Sequence, residues 1–146
     1  MIRVEEEIHI DRPVADVFAF ATDPDNQLLL NTNMVDYELE GPMEKGARPR
    51  GRTRVAGKRI DWETEILEFE QDRRVELRSI DAPMEFHITW HYEPDGEGTR
   101  IRFEQESPSL GGFFGRMSDT VVVKMYGRDV RSNLEKLKVL LENDEG

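Results

Sequence analysis

Hydrophobic and polar residues alternate over residues 2–10, and the alternation stops at the Asp-Arg-Pro sequence that follows. Val4 and Ile8 fall on one face with charged residues on the other, which predicts a half-buried β-strand. Beyond Pro13 the apolar residues recur at helical spacing. Because the Asp11 side chain can accept hydrogen bonds from a first helical turn, and proline lacks only a donor that is not needed there, we expect a helix to begin at this junction.

The same two patterns organise the rest of the chain. Asp23 and Pro24 repeat the cap-and-proline signal and predict a second short helix that ends near Asn31. Turn residues then separate six strand-like runs, which are residues 35–40, 47–56, 59–70, 74–81, 84–93 and 99–107. Their short, regular spacing predicts an antiparallel meander, and helical spacing from residue 111 to about residue 141 predicts a long final helix.

The predicted final helix carries apolar residues on two nearly opposite faces, given a turn of about 100° per residue. The first face holds Phe114, Met117, Val121 and Met125, and the second holds Val130, Leu134, Leu137 and Leu141. We expect a kink at Gly127 to turn both faces towards one core, because glycine lowers the cost of local distortion. The alternative is that the first half meets a partner subunit, as in a homodimer, or lines an entrance.

Composition narrows the classes of partner. The chain has 146 residues, no cysteine and a formal net charge of -11, which disfavours nucleic acid and anionic membrane surfaces as partners. Charged residues interrupt residues 1–10, so no continuous apolar segment there could act as a signal peptide or a membrane span. We therefore expect one cytoplasmic domain over residues 1–146, without stable membrane insertion.

Four arginines recur at every second position of one predicted strand and so share one face of the sheet: Arg48, Arg50, Arg52 and Arg54. They form either an anion-binding patch or a ladder of cross-strand ion pairs, and the alternation of charge on the neighbouring strands favours the ladder. His87 and His91 share this face about 13 Å apart. That separation is too large for one metal ion, so we expect no metal site.

The opposite face of the predicted sheet is apolar with a few polar groups. It holds Trp62, Thr64, Ile66, Val75, Leu77, Ser79, Phe86, Ile88, Trp90, Tyr92, Ile101, Phe103 and Gln105. Such a face, covered by one helix, is either filled by its own side chains or curved away to leave a cavity.

Short motifs also follow one another in a characteristic order. They are Ile10-Asp11-Arg12-Pro13, Val17-Phe18, Asp23-Pro24, Gly41, Gly46, Trp62-Glu63-Thr64-Glu65-Ile66, Thr89-Trp90-His91-Tyr92-Glu93-Pro94 and Gly98-Thr99-Arg100. Together they resemble the polyketide cyclase/dehydrase and lipid-transport-like family, which belongs to the superfamily of the START lipid-transfer domain and the birch pollen allergen. The resemblance covers essentially the whole chain. Its motifs are turns, caps and core positions, so it is specific for fold more than for function.

The resemblance implies an α+β helix-grip fold, in which a seven-stranded antiparallel curved sheet wraps around the long C-terminal helix and two short helices follow the first strand. It also implies an elongated cavity for a hydrophobic small molecule such as a lipid, isoprenoid or polyketide, with no cofactor. We expect the wall of the cavity to come from Tyr37, Trp62, Thr64, Phe86, Ile88, Trp90, Tyr92, Phe103, Met117, Val121 and Met125.

Glu6 is the sharpest single candidate for a site residue, because its position in the alternation turns it inward. An ionised carboxylate there needs a partner or a raised pKa, and both conditions are common at functional sites. The alternatives are that Glu6 reaches water at a strand edge or pairs with Lys124 or Arg128.

Three functions are compatible with these residues. The first is a module that sequesters or carries a hydrophobic small molecule, since no nucleophile or metal constellation is recognisable. The second is an enzyme of the cyclase or dehydrase kind, with proton transfer by Glu6, Tyr37, Tyr92 and Thr64. The third is a protein-interaction role like that of the related chaperone-activator domains, with contacts through the strand of residues 48–54 or the Phe113-Phe114 pair.

Overall fold

A computed structural model describes residues 2–108, 114 and 117–143 of the chain. The elements run in the order β1 (Ile2–Ile10), α1 (Val14–Thr22), a 3-10 turn (Pro24–Asn26), α2 (Gln27–Leu30), β2 (Met34–Glu38), β3 (Arg50–Val55), β4 (Lys58–Glu70), β5 (Arg74–Asp81), β6 (His87–Asp95), β7 (Gly98–Ser107) and α3 (Asp119–Glu142).

The seven strands form one antiparallel sheet in the order β1-β7-β6-β5-β4-β3-β2, so β1 and β2 are its edges. Register shifts interrupt the pairing of β4 with β5 between Glu63 and Thr64 and between Ile66 and Glu68. Irregularities of this kind bend a strand and increase its twist, which curls the sheet around α3. The predicted helix-grip fold is thereby confirmed.

A continuous apolar stripe of α3 packs into the concave face of the sheet. Its buried residues are Val122, Val130, Leu134, Leu137 and Leu141. The last four of them pack with the most deeply buried side chains of the sheet and of α1, among them Ile10, Phe18 and Ile101, whereas Val122 packs with Val55, Ile60 and Phe114. Burial of each large apolar side chain contributes roughly 1.5–3 kcal/mol, so this end of the molecule is the stabilising core.

The edge strand β1 is covered by α3. Arg131 Nη1 donates to the carbonyl oxygen of Glu7 at 3.2 Å, and Lys138 Nζ donates to that of His9 at 2.7 Å. These bonds satisfy carbonyl groups that an exposed edge would offer to another strand. The helix therefore protects this edge against pairing with a second chain.

The junction between β1 and α1 differs from the expectation. Asp11 does not cap α1: the N-cap is Pro13, which makes no side-chain cap bond, and Asp11 lies two residues too far upstream. Instead the Asp11 backbone N–H donates to Glu142 Oε2 at 2.8 Å, and Arg12 Nη1 donates to the carbonyl oxygen of Leu141 at 2.8 Å. The junction thus holds the C-terminal end of α3. The second cap signal is confirmed, since Asp23 accepts from the Asp25 backbone N–H at 2.9 Å.

The predicted facing of the final helix was wrong in its first half. Ser118 caps α3 by accepting from the Val121 backbone N–H, so the helix begins after Met117. Met117, Val121 and Met125 are 41%, 46% and 36% exposed, and they form an exposed stripe. Val122 and Tyr126 face inward instead.

The helix needs no kink at Gly127, because one stripe continues through it. Val122 and Tyr126 precede Val130 at steps of four residues, so they extend the same face that Leu134 and Leu137 occupy. The helix runs without interruption from Asp119 to Glu142. The part of the helical prediction that covers residues 111–113 and 115–116 lies outside the described residues.

The outer face of the sheet carries the expected ladder of ion pairs. Arg52 Nε lies 2.5 Å from Asp61 Oδ1, and Arg78 Nη2 lies 3.4 Å from Glu65 Oε1. A hollow on this face is bordered by carboxylates as well as arginines, namely Asp36, Glu38, Arg50, Arg52, Asp61, Glu63 and Asp81. The mixture of signs does not favour the anion-binding patch.

Candidate ligand-binding cavity

A cavity of about 270 Å³ lies between the concave face of the sheet and α3. All seven strands and all three helices contribute to its wall. Ligand pockets span roughly 300–1,000 Å³, so this space suits a small ligand better than an intact two-chain lipid. The sheet therefore does curve away from the helix, and its side chains leave part of the interior open.

Eight of the residues predicted for the wall border this cavity: Tyr37, Trp62, Thr64, Phe86, Ile88, Trp90, Tyr92 and Phe103. Seven of them share the inward parity of their strands, and Phe86 directly precedes β6, which is why the alternation could identify them. Their contact with a ligand stays a prediction. Met117, Val121 and Met125 do not border the cavity, because the cap at Ser118 sets the helix so that the preceding face points to solvent.

Glu6 also lies outside the cavity wall. Its Oε1 is 3.7 Å from Arg131 Nη1, and its side chain is 25% exposed. The residue sits on the edge strand β1 beneath α3, so it reaches both a cation and water. The partner is Arg131, not Lys124 or Arg128, and the position gives Glu6 a structural pairing away from the cavity.

Trp62 forms one side of the cavity and is held in place by two neighbours. Its Nε1 donates to Thr53 Oγ1 at 2.8 Å, and its ring centroid lies 6.2 Å from that of Tyr37. Gly51 on β3 leaves room for the indole, since a Cβ there would stand 2.8 Å from Trp62 Cζ2. Gly51 and Thr53 were not among the predicted site residues, although the pairing of β3 with β4 places them beside the indole.

The described residues of the cavity wall carry no formal charge. None of those that border the cavity is Asp, Glu, His, Lys or Arg. The candidates for proton transfer that remain are hydroxyl groups. Burial raises the pKa of Tyr37 to about 12 and raises the pKa of Tyr92 further. Both phenols therefore stay protonated at neutral pH, and neither can serve as a general base.

Most polar groups of the wall are bound to the protein itself. Thr64 Oγ1 donates to the carbonyl oxygen of Pro49 at 3.0 Å, which accounts for this buried hydroxyl. Asn133 Nδ2 donates to Asn33 Oδ1 at 3.1 Å where α3 meets the segment before β2. The wall is thus apolar with a few fixed hydrogen-bonding points, as in many small-molecule pockets.

The histidines lie on the outer face of the sheet and each approaches a carboxylate. His9 Nδ1 is 2.9 Å from Asp95 Oδ2, and His87 Nε2 is 2.8 Å from Glu76 Oε1. Within the described ranges, no three residues of the metal-binding types come close enough together to hold a metal ion.

The aromatic pair considered for a protein contact is only partly described. Phe113 lies outside the described residues. Phe114 is buried, borders the cavity and packs with Val55, Ile60 and Val122. It contributes to the interior of the molecule and does not offer an exposed contact surface.

Known proteins that are similar to this chain share its fold. The family model described as "Polyketide cyclase / dehydrase and lipid transport" matches residues 1–142. The structure of TTHA0849 from Thermus thermophilus superposes with a TM-score of 0.83 at 24% identity, over 98% of this chain and 100% of that one. Ara h 8.0201 superposes with a TM-score of 0.75 at 12% identity, over 98% of this chain and 99% of that one.

A third similar structure is larger than this chain. DynU16, a protein of the dynemicin biosynthetic locus, superposes with a TM-score of 0.69 at 19% identity, over 97% of this chain and 47% of its own. At these identities the likeness shows a shared fold. No protein of curated function matches the sequence.

None of the helices in the described part of the chain is long and apolar enough to cross a membrane.

Proposed function

The chain belongs to the polyketide cyclase/dehydrase and lipid-transport family, and from that premise we propose that it binds a hydrophobic small molecule in the cavity between its sheet and α3. The bound molecule is sequestered or carried, and it is a lipid, isoprenoid or polyketide of modest size. The chemistry of the wall is the observation that carries this proposal.

The uncharged wall of the cavity favours binding of an apolar ligand over catalysis. Transfer of each methylene group from water into such a space contributes about 0.8 kcal/mol, whereas a charged side chain would hold water in the cavity. Trp90 and Phe103 offer an edge-to-face pair with ring centroids 4.8 Å apart. Aromatic walls of this kind suit flat or extended apolar ligands.

A cyclase or dehydrase reaction would need a group that accepts a proton. The cavity wall, in its described residues, has no carboxylate or imidazole, and its phenols have raised pKa values. DynU16 comes from a biosynthetic locus, which gives the enzymatic alternative its support. The residues of this chain support the binding role more strongly.

The test is a calorimetric titration of the protein with 1-decanol, repeated with two variants of β5. Leu77 borders the cavity, so Leu77→Trp fills part of it, and we expect at least about a tenfold loss of affinity. Ile80 is an exposed residue on the other face of the same strand, and Ile80→Trp is the matched control. Equal affinity in all three proteins, or conversion of the bound molecule to a product, would contradict the carrier role.

A further inference from the structure

The Tyr92 hydroxyl is a polar group that opens onto the cavity without a protein partner. The residue is 5% exposed and borders the cavity, and none of its hydrogen bonds within the described chain involves the hydroxyl. In the described part of the chain, the fully buried side-chain atoms that make no hydrogen bond are Glu70 Oε2 and Arg74 Nε. Because the Tyr92 oxygen is not one of these buried atoms, it keeps some accessible surface, and we infer that this surface faces the cavity that the residue borders.

The side-chain amide of Gln105 on β7 is a second polar group with unused hydrogen-bonding capacity. Tyr126 donates its hydroxyl proton to Gln105 Oε1 at 2.7 Å, and both residues border the cavity. This bond engages Oε1 of the Gln105 amide. The Nε2 group of Gln105 then keeps both of its N–H donors free.

The Tyr92 hydroxyl and the Gln105 amide are separated along the concave face of the sheet. Tyr92 pairs in register with Ile101, and Gln105 lies four residues further along β7, a Cα separation of about 13 Å. Between them the wall is formed by Trp90 and Phe103. The wall between these two hydrogen-bonding groups is therefore apolar.

We propose that the ligand is an elongated apolar molecule with an oxygen function at each end, one bound by the Tyr92 hydroxyl and the other by the Gln105 amide. This inference rests on the proposed function, because it assigns the ligand class of the same cavity.

A plain hydrocarbon fits this arrangement poorly. Its binding would displace water from both groups and leave them without partners, and an unpaired buried polar group is costly. A site with such groups discriminates strongly against analogues that lack the matching oxygen. A two-ended oxygenated ligand keeps the contact with Trp90 and Phe103 and also satisfies both ends.

The test compares 1,10-decanediol with 1-decanol by calorimetric titration of the full chain and three variants. Tyr92→Phe removes one end. The double variant Gln105→Met with Tyr126→Phe removes the other end and leaves neither member of that bond unpaired. Thr89→Val lies on the outer face of β6, in register with Glu104, and is the control.

We expect Tyr92→Phe and the double variant each to lower the affinity for the diol about three- to tenfold. Each should change the affinity for 1-decanol less than twofold, because its single hydroxyl can use the other end. Thr89→Val should change neither affinity.

Three outcomes would overturn the inference. They are an unchanged affinity for the diol in both variants, equal losses for the diol and 1-decanol in Tyr92→Phe, and a loss in Thr89→Val as large as in Tyr92→Phe. In each of these the proposed function stands, provided that 1-decanol binds. Absence of binding by either alcohol to the unaltered protein would contradict the proposed function and this inference together.

Discussion

Gly51 lies against the indole of Trp62, so that a Cβ at Gly51 would collide with the carbonyl oxygen of Asp36 and would stand 2.8 Å from Trp62 Cζ2. The glycine is needed for space here, since its backbone is not in the left-handed region. This close approach fixes one side of the cavity through backbone contacts as well as through a side chain.

Gly51→Ala should therefore destabilise the protein by about 1–3 kcal/mol, because the methyl group cannot be accommodated without moving β2 or the indole. Ligand affinity should fall as well, since Trp62 borders the cavity. Urea unfolding followed by circular dichroism measures the first effect, and titration with 1-decanol measures the second. An unchanged unfolding midpoint would contradict the close approach.

Gly127→Ala is the contrasting substitution. A Cβ at Gly127 would meet Val4 Cγ1 at 3.9 Å, which is ordinary contact, and the residue lies inside the continuous helix α3. Alanine should stabilise the protein by about 0.5–1 kcal/mol through its higher helix propensity. A lower unfolding midpoint would show that the helix requires a distortion at this residue.

Arg12 joins the start of α1 to the end of α3. Its Nη1 donates to the carbonyl oxygen of Leu141 at 2.8 Å, and its Nη2 donates to Asp16 Oδ2 at 3.0 Å. Arg12→Ala should lower the free energy of unfolding by about 1–2 kcal/mol, because a charged donor to a terminal carbonyl is lost.

The same variant should speed amide hydrogen exchange in the last turn of α3 more than elsewhere in the helix. Arg73→Ala is the control, since the Arg73 side chain is largely exposed and its ion pair with Glu70 is long, at 3.8 Å. Equal exchange in the last turn of the two variants would rule out the role of Arg12 in holding the helix end.

The stability that Glu142 contributes at the C-terminal end of α3 depends on pH. Its hydrogen bond from Lys138, followed by the one from the Asp11 backbone N–H, lowers the pKa of this carboxyl below its ordinary value of 4.5. The unfolded chain then binds the proton more readily, so the contribution of Glu142 is present above pH 4.5 and is lost as the pH falls through the lowered pKa.

Glu142→Gln should therefore flatten the acid limb of the stability profile below pH 4.5, where the Glu142 carboxylate of the unfolded chain gains its proton before that of the folded protein. The measurement is the unfolding midpoint at a series of pH values. A Glu135→Gln variant, which alters an exposed side chain on the same helix, is the control. Identical acid limbs for the native protein and Glu142→Gln would contradict the assigned pKa shift.

The sequence predicted the sheet more accurately than the helix that covers it. Strand positions such as Trp90 and Phe103 follow a period of two, so one register decides the facing of every side chain. In the helix, the exposed stripe that contains Val121 and the buried stripe that contains Val122 are offset by one residue. The cap at Ser118 determines where the helix begins and therefore which of the two faces the core.

The polar groups of the cavity were harder to predict for another reason. Parity identified Gln105 as inward, but its bond with Tyr126 depends on a distance between two elements that no local pattern carries. Likewise the pairing of Glu6 with Arg131 follows from the position of α3 over the edge strand. The face of a strand on which a side chain lies can be predicted from the sequence, whereas its hydrogen-bond and ion-pair partners on other elements are known only from the packed structure.

Nuclear Overhauser effects between bound 1-decanol and the methyl groups of the protein test the central claim most directly, because they locate the ligand. We predict cross-peaks from its methylene protons to Leu77, Ile88 and Val130, which border the cavity, and none to the exposed Ile80 and Val139. Cross-peaks confined to exposed methyl groups, or none at saturating ligand, would contradict binding inside the cavity.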